Sequence, residues 1–260
     1  MTQLIIFTDL DSVWLAPETD DLAALKLSLA QLKALSIPVI LTTNRARAEV
    51  EPLRAELALG DPFITEGGSG VFIPTDLALP LPDWAEPEGD YAVLELGCPY
   101  VQARAGLRVV ANELQHSLLG FGDLTIERLQ KRTGLSASAA QQAKAREFSE
   151  PFLTPKAVES EALTAAAEAI GFRVVTGERF SWLMGPEASL RAAVQQVAHL
   201  YQSAETAVET VGLSATLTEL LAAVDTPIAL PTGSAAAANA QGAPDLAEWI
   251  AAAQALCRVR

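Results

Sequence analysis

The residues from Leu4 to Thr8 form a short apolar run rich in branched side chains, and the run stops at two acids, Asp9 and Asp11. Continuous rather than alternating hydrophobicity over this length predicts a strand buried on both faces. Leu22, Leu25, Leu29 and Leu32 follow at helical spacing. A second apolar run from Ile37 to Leu41 leads into Thr42, Thr43, Asn44 and Arg45, after which Val50, Leu53 and Leu57 resume the helical period. Strand, helix, strand, helix predicts an α/β fold with a parallel sheet covered on both faces, and such sheets bind ligands outside the carboxyl ends of their strands. Asp9 and Thr43 both fall at such ends.

The pattern then changes. Phe63 to Pro74 reads as two short strands around the glycine-rich turn Glu66-Gly67-Gly68, where the chain reverses. Pro80, Pro82, Pro87 and Gly89 punctuate the chain before an apolar stretch from Tyr91 to Leu96, which is read as the first strand of a second unit, with a boundary near residue 84. That unit is expected to hold helices at 101–117, 125–131, 137–146 and 159–169 and strands at 150–154, 172–176 and 180–184. A helix at 187–201, a strand at 206–213, a helix at 218–223 and a strand at 227–230 restore the α/β rhythm. A last amphipathic helix is expected at 245–256, capped by Asp245. The organisation expected is thus a discontinuous core, residues 1–84 and 186–260, with an α/β cap at 85–185.

Charge narrows the partners. The chain has 260 residues and a formal net charge of −14, a field that repels nucleic acid and anionic membranes before any specific contact forms. Cys98 and Cys257 are the only cysteines, without metal-ligand or CxxC spacing, which argues against a disulfide framework or structural zinc. The first residues offer no basic leader and no membrane-length apolar run, so a cytoplasmic protein is expected. His116 and His199 lie on expected helices without a partnering Cys or His, and packing or exposure explains them, as packing explains Trp14, Trp84, Trp182 and Trp249.

Two carboxylates at i and i+2 after a buried strand bring charge to one rim, where they can bind a divalent cation or divide nucleophile and proton-transfer work. Thr43 and Arg45, after the next strand, offer a hydroxyl and a guanidinium for phosphate oxygens. By pattern alone, Arg146, Glu147 and Glu150 read equally as a solvated charged edge.

Several segments together carry a resemblance: Phe7-Thr8-Asp9-Leu10-Asp11, Arg47-Ala48-Glu49-Val50-Glu51, Phe63-Ile64-Thr65-Glu66-Gly67-Gly68, Gly120-Phe121-Gly122-Asp123-Leu124-Thr125, and the run from Ala143 through Lys144, Arg146 and Glu147 to Phe152. They resemble the haloacid dehalogenase (HAD) superfamily of phosphatases, and within it the mannosyl-3-phosphoglycerate phosphatase family. The resemblance implies a Rossmann-like core with an inserted α/β cap, and a magnesium-dependent attack on a phosphate monoester. It makes Asp9 the nucleophile, Asp11 the acid and base, and Thr43 a donor to the phosphoryl group. It places Asn44, Arg45, Glu66, Gly67, Gly68, Asp123, Lys144, Arg146, Glu147 and Arg179 around phosphate or substrate.

The departures fall in the motifs that such catalysis would use. Ser12 and Val13 stand where the family has Gly-Thr, and Ser189, in Ala188-Ser189-Leu190-Arg191-Ala192, takes the place of the phosphate-binding lysine. Ala215, in Ser214-Ala215-Thr216-Leu217-Thr218-Glu219, takes the place of the principal metal-binding aspartate, and Trp182 that of a cap histidine. Asp9, Asp11 and Glu219 remain as the candidate magnesium set, while Arg45 or Arg191 could supply cationic charge. Losing a lysine or a cation at such a site costs roughly a hundredfold to a thousandfold in rate. The expectation is a phosphatase-like protein with impaired or lost hydrolysis that takes a small phosphorylated sugar or glycerate-type ligand. The alternatives are an active phosphatase of a glycosyl-phosphoglycerate, using Mg2+ and an aspartyl-phosphate, and a non-catalytic module that binds a ligand or a protein partner.

Overall fold

The computed structural model describes residues 2–14 and 22–230. β1 (Thr2–Asp9) is the hydrophobic run expected, and its side chains alternate between two cores. Leu4 and Ile6 pack on one face with Leu29 and Leu32 of α1 (Leu22–Ala34) and Val50 of α2 (Arg47–Glu56). Ile5 and Phe7 pack on the other with Leu190, Val194 and Val197 of α7 (Leu190–Tyr201). A strand covered on both sides leaves no face for polar residues, which is why its pattern is continuous.

The larger sheet has eight strands in the order β11-β10-β1-β2-β3-β4-β6-β5. β11 (Thr226–Ala229), β10 (Ala207–Ser214), β1, β2 (Val39–Thr42) and β3 (Phe63–Thr65) run parallel. β4 (Gly70–Pro74), β6 (Tyr91–Glu95) and β5 (Glu86–Glu88) continue it antiparallel. This corrects the expected boundary: Tyr91–Glu95 does not open the second unit but pairs with β4 from Gly70↔Glu95 to Pro74↔Tyr91. Its alternate residues Ala92 and Leu94 complete one core and Val93 the other, so the sheet, rather than the proline cluster, decides where the core's first half ends.

Beyond Leu96 the chain builds a second layer. Its three-stranded antiparallel sheet, β7-β9-β8, comprises β7 (Ser149–Leu153), β8 (Arg173–Val175) and β9 (Phe180–Met184). α3 (Tyr100–Glu113) and α6 (Ser160–Glu168) cover it through Leu107, Val110, Leu163 and Ala167, packed on Phe152 and Leu183. α4 (Ile126–Thr133) and α5 (Ala137–Lys144) form a satellite with Phe121, Leu124 and Leu129. α4 ends at Gly134 with φ +80°, the left-handed C-cap that glycine adopts without strain. The chain returns to the large sheet through α7, β10, α8 (Thr218–Leu221) and β11. Among the described residues no helix is long and apolar enough to cross a membrane. The helix expected at 245–256, and Cys257 and Trp249 with it, lie outside the described residues.

Candidate active site

Parallel register brings the site together. Asp9, the last residue of β1, lies opposite Thr42 of β2, while Thr8 lies opposite Leu213 of β10, so Ser214 stands beside Asp9 at the carboxyl rim. A π-helical turn, Leu10–Trp14, follows at once and folds Asp11 and Ser12 back over the strand end. The Asp11 amide donates to Asp9 Oδ1 at 3.0 Å.

Asp9 is fully buried. Its Oδ2 accepts three hydroxyls: Ser12 Oγ at 2.5 Å, Ser214 Oγ at 2.8 Å and Thr216 Oγ1 at 3.1 Å. Burying a carboxylate is tolerated only when such donors replace water, and hydrogen bonds to a charged acceptor are each worth about 1.5–3 kcal/mol. The donors are themselves braced. Ser12 Oγ accepts the Ala215 amide at 2.9 Å, and Ser214 Oγ accepts the amides of Thr216 at 3.0 Å and Leu217 at 2.7 Å.

Asp11 is held from the other side. Thr43 Oγ1 donates to its Oδ2 at 2.7 Å and Arg45 Nε to its Oδ1 at 2.6 Å. Arg45 also reaches Glu49 at 3.2 Å, and Glu49 accepts the Ala46 amide at the start of α2. Burial opposes the Arg45 charge, but Asp11 and then Glu49 outweigh it and hold its pKa above the ordinary guanidinium value. Burial pushes the Glu49 carboxyl up, with Ala46 and Arg45 only partly offsetting it. Asp9, Asp11, Thr43 and Arg45 are therefore brought together as expected. Among the described residues Asp11 has one ion-pair partner, Arg45, and Asp9 has none.

Magnesium, the cation implied by the resemblance, prefers carboxylates and water in near-octahedral array. Here Asp9 alone presents a carboxylate that is not already ion-paired, the Ala215 side chain has no ligating atom, and Glu219 is turned to Arg173 at 3.0 Å. Among the described residues no three His, Cys, Asp or Glu side chains cluster to hold a metal. The donor set does not fit a carboxylate-built magnesium site, and the expected role for Glu219 is corrected accordingly.

Most residues assigned to phosphate or substrate have other partners. Glu66 and Arg146 are buried against each other at 3.2 Å. Arg146 donates twice to the Asn44 carbonyl at 3.0 Å, and Glu66 accepts the amides of Glu147 and Phe148 and the Ser149 hydroxyl. This pair joins the β3–β4 turn to the cap. Glu147 takes Arg47 at 2.6 Å, Asp123 takes Arg104 at 2.9 Å, Lys144 donates to the Leu124 carbonyl, and Arg179 lies over the Phe180 ring. Arg191 donates to the Ala222 carbonyl. Ser189 caps α7 by accepting the Ala192 amide at 3.0 Å. Gly67 and Gly68 have φ of +66° and +90°, and a Cβ on Gly68 would lie 2.3 Å from the Ser189 carbonyl. Gly68 thus lets the turn approach the start of α7, while Gly67 lies against Asn44 and Met184.

Ser214 and Thr216 were missed as site residues. Ser12 was singled out only as a departure. The usable signal was hydroxyls on both segments that flank the rim.

The fold and the paired aspartates define a member of the HAD phosphatase superfamily. Solved structures with this fold include sucrose-phosphatase from Synechocystis in complex with sucrose and phosphate, with a TM-score of 0.57 at 15% identity over 95% of this chain and 91% of that one. A HAD subclass IIB sugar phosphatase matches with a TM-score of 0.54 at 13% identity, over 88% and 94%. No protein-family model matches the chain. Curated relatives are nearer in sequence. A glucosyl-3-phosphoglycerate/mannosyl-3-phosphoglycerate phosphatase of Methanococcoides burtonii is 36% identical over 230 residues, 86% of this chain and 83% of that protein. Its counterpart in Persephonella marina is 32% identical over 231 residues, 88% and 85%. The chain belongs to the mannosyl-3-phosphoglycerate phosphatase family.

Proposed function

We propose that this family member keeps the crevice beside Asp9 as a site for a small phosphorylated sugar or glycerate-type ligand, with phosphohydrolysis impaired relative to its relatives. The observation that carries this reading is the commitment of Asp11. Thr43 engages one of its oxygens and Arg45 the other, so two of its roughly four lone-pair sites are already used and a leaving oxygen must approach beside those partners. The same Arg45 is shared with Glu49, which leaves it a weak substitute for a lysine on phosphate. Ser189 supports the reading, since its side chain serves the helix end. We read the protein as cytoplasmic from its two cysteines without disulfide or metal spacing, and as having no nucleic-acid or membrane partner from its net charge of −14.

Phosphate release from glucosyl- and mannosyl-3-phosphoglycerate, set beside Asp9→Asn, tests this. The expected wild-type rate lies within about tenfold of that variant. Ser189→Lys with Ala215→Asp should raise it by roughly a hundredfold or more. Fast wild-type turnover abolished by Asp9→Asn would overturn the proposal.

A second reading, a working phosphatase, is favoured by the intact constellation of Asp9, Asp11 and Thr43 and by the activity named for the relatives. In it an Asp9 oxygen bonds to phosphorus as the ester oxygen leaves, and water then cleaves the aspartyl-phosphate. Oδ1, which accepts the Asp11 amide and none of the three hydroxyls, is the oxygen with a lone pair to spare for that bond.

A further inference from the structure

A hydroxyl has one proton to donate and two lone pairs to accept with. Ser214 uses all three: its proton goes to Asp9, and its lone pairs take the amides of Thr216 and Leu217. Ser12 gives its proton to Asp9 and one lone pair to the Ala215 amide. Asp9 Oδ2 already receives three donors, and Oδ1 receives the Asp11 amide. A cation approaching Oδ2 would have to displace hydroxyl protons, and Ser214 has no lone pair free to ligate it. The side chain at 215 contributes nothing, because it is alanine, and its backbone amide is a further donor pointed at the cage.

We infer that Ser12, Ser214 and Thr216 form a hydroxyl cage that replaces a divalent cation at Asp9, so that the carboxylate is buried and ordered without metal. Three neutral donors supply the local positive potential that a cation would otherwise supply, and the amide bonds behind Ser12 and Ser214 fix their direction. This goes beyond reduced turnover, because it concerns what holds Asp9 in the resting protein.

The test uses Mn2+ alone as the probe, with free Mn2+ followed by electron paramagnetic resonance during titration of the full chain. Wild type and Asp9→Asn are expected to show the same weak, non-saturating uptake up to about 1 mM, the weak end of built oxygen-ligand sites. The triple variant Ser12→Gly, Ser214→Gly, Ala215→Asp is expected to gain saturable binding at least about tenfold tighter. Saturable wild-type binding below about 1 mM that Asp9→Asn abolishes overturns the inference. So does a folded triple variant that gains nothing.

Thermal unfolding of the wild type gives an answer that does not depend on the triple variant folding. The midpoint should be the same in Mg2+ and in EDTA, and an Mg2+-dependent rise lost in Asp9→Asn counts against the cage. Failure here is separable from failure of the proposed function. Wild type that binds Mn2+ at Asp9 yet releases no phosphate overturns the cage alone, and wild type that binds none and still releases phosphate fast overturns the proposed function alone.

Discussion

Ser214 is where one side chain carries the most at the rim, since it serves a buried carboxylate and two backbone amides together. Ser214→Ala removes a hydrogen bond to charge and orphans its amides, and should cost about 1.5–3 kcal/mol in urea unfolding. Thr216→Val, at the longer 3.1 Å contact, should cost less. In the cap, Glu150 is fully buried and its carboxyl is pushed up by desolvation, against the opposing pull of Tyr100, the Gly122 amide and Arg104. Because its folded pKa lies above the unfolded one, the unfolded state loses this proton first as pH rises. Stability therefore falls between the ordinary carboxylate pKa and the raised one, and stays lower above it. Glu150→Gln should raise the melting temperature at neutral pH, with the gain shrinking to nothing near about pH 4.

Between elements, the decisive contact is the buried Glu66–Arg146 pair, which ties the β3–β4 turn to the segment between α5 and β7. Arg146→Met leaves Glu66 without its counter-charge and should cost about 3–5 kcal/mol. Adding Glu66→Gln should recover part of that loss, which a double-mutant cycle measures. The amides of Glu147 and Phe148, both donors to Glu66, should exchange faster with solvent in either single variant. Gly68→Ala tests the other side of the same turn. With φ at +90° and the Ser189 carbonyl 2.3 Å from the new Cβ, it should cost at least about 1–3 kcal/mol and loosen the start of α7.

At the scale of the molecule, the net charge of −14 sets the terms on which an anion arrives. A phosphate ester is repelled at long range and meets local attraction at Arg45, so its association rate should rise with added salt up to about 0.15 M. A site dominated by an exposed lysine or arginine field would slow instead. Stopped-flow binding of a sugar phosphate across ionic strength distinguishes the two.

The sequence by itself determined the alternation of strands and helices. Runs such as Leu4–Thr8 and Ile37–Leu41 can be buried only one way, and their ends placed Asp9, Asp11, Thr43 and Arg45 on one rim. It also fixes that the side chains at 189 and 215 are a hydroxyl and a methyl, whatever the fold does. Only the tertiary structure decided partners. β6 carries the same apolar signal whether it opens a cap or extends a sheet, and pairing with β4 settled which. Arg146 and Glu66, 80 positions apart, are ordinary charges in sequence and a buried pair in space. The cage at Asp9 draws on Ser12 and on Ser214 and Thr216 from the far end of the chain. Serine and threonine carry no local signature of what they will bond, and it was the parallel register of β1 against β10 that turned three unremarkable hydroxyls onto one carboxylate.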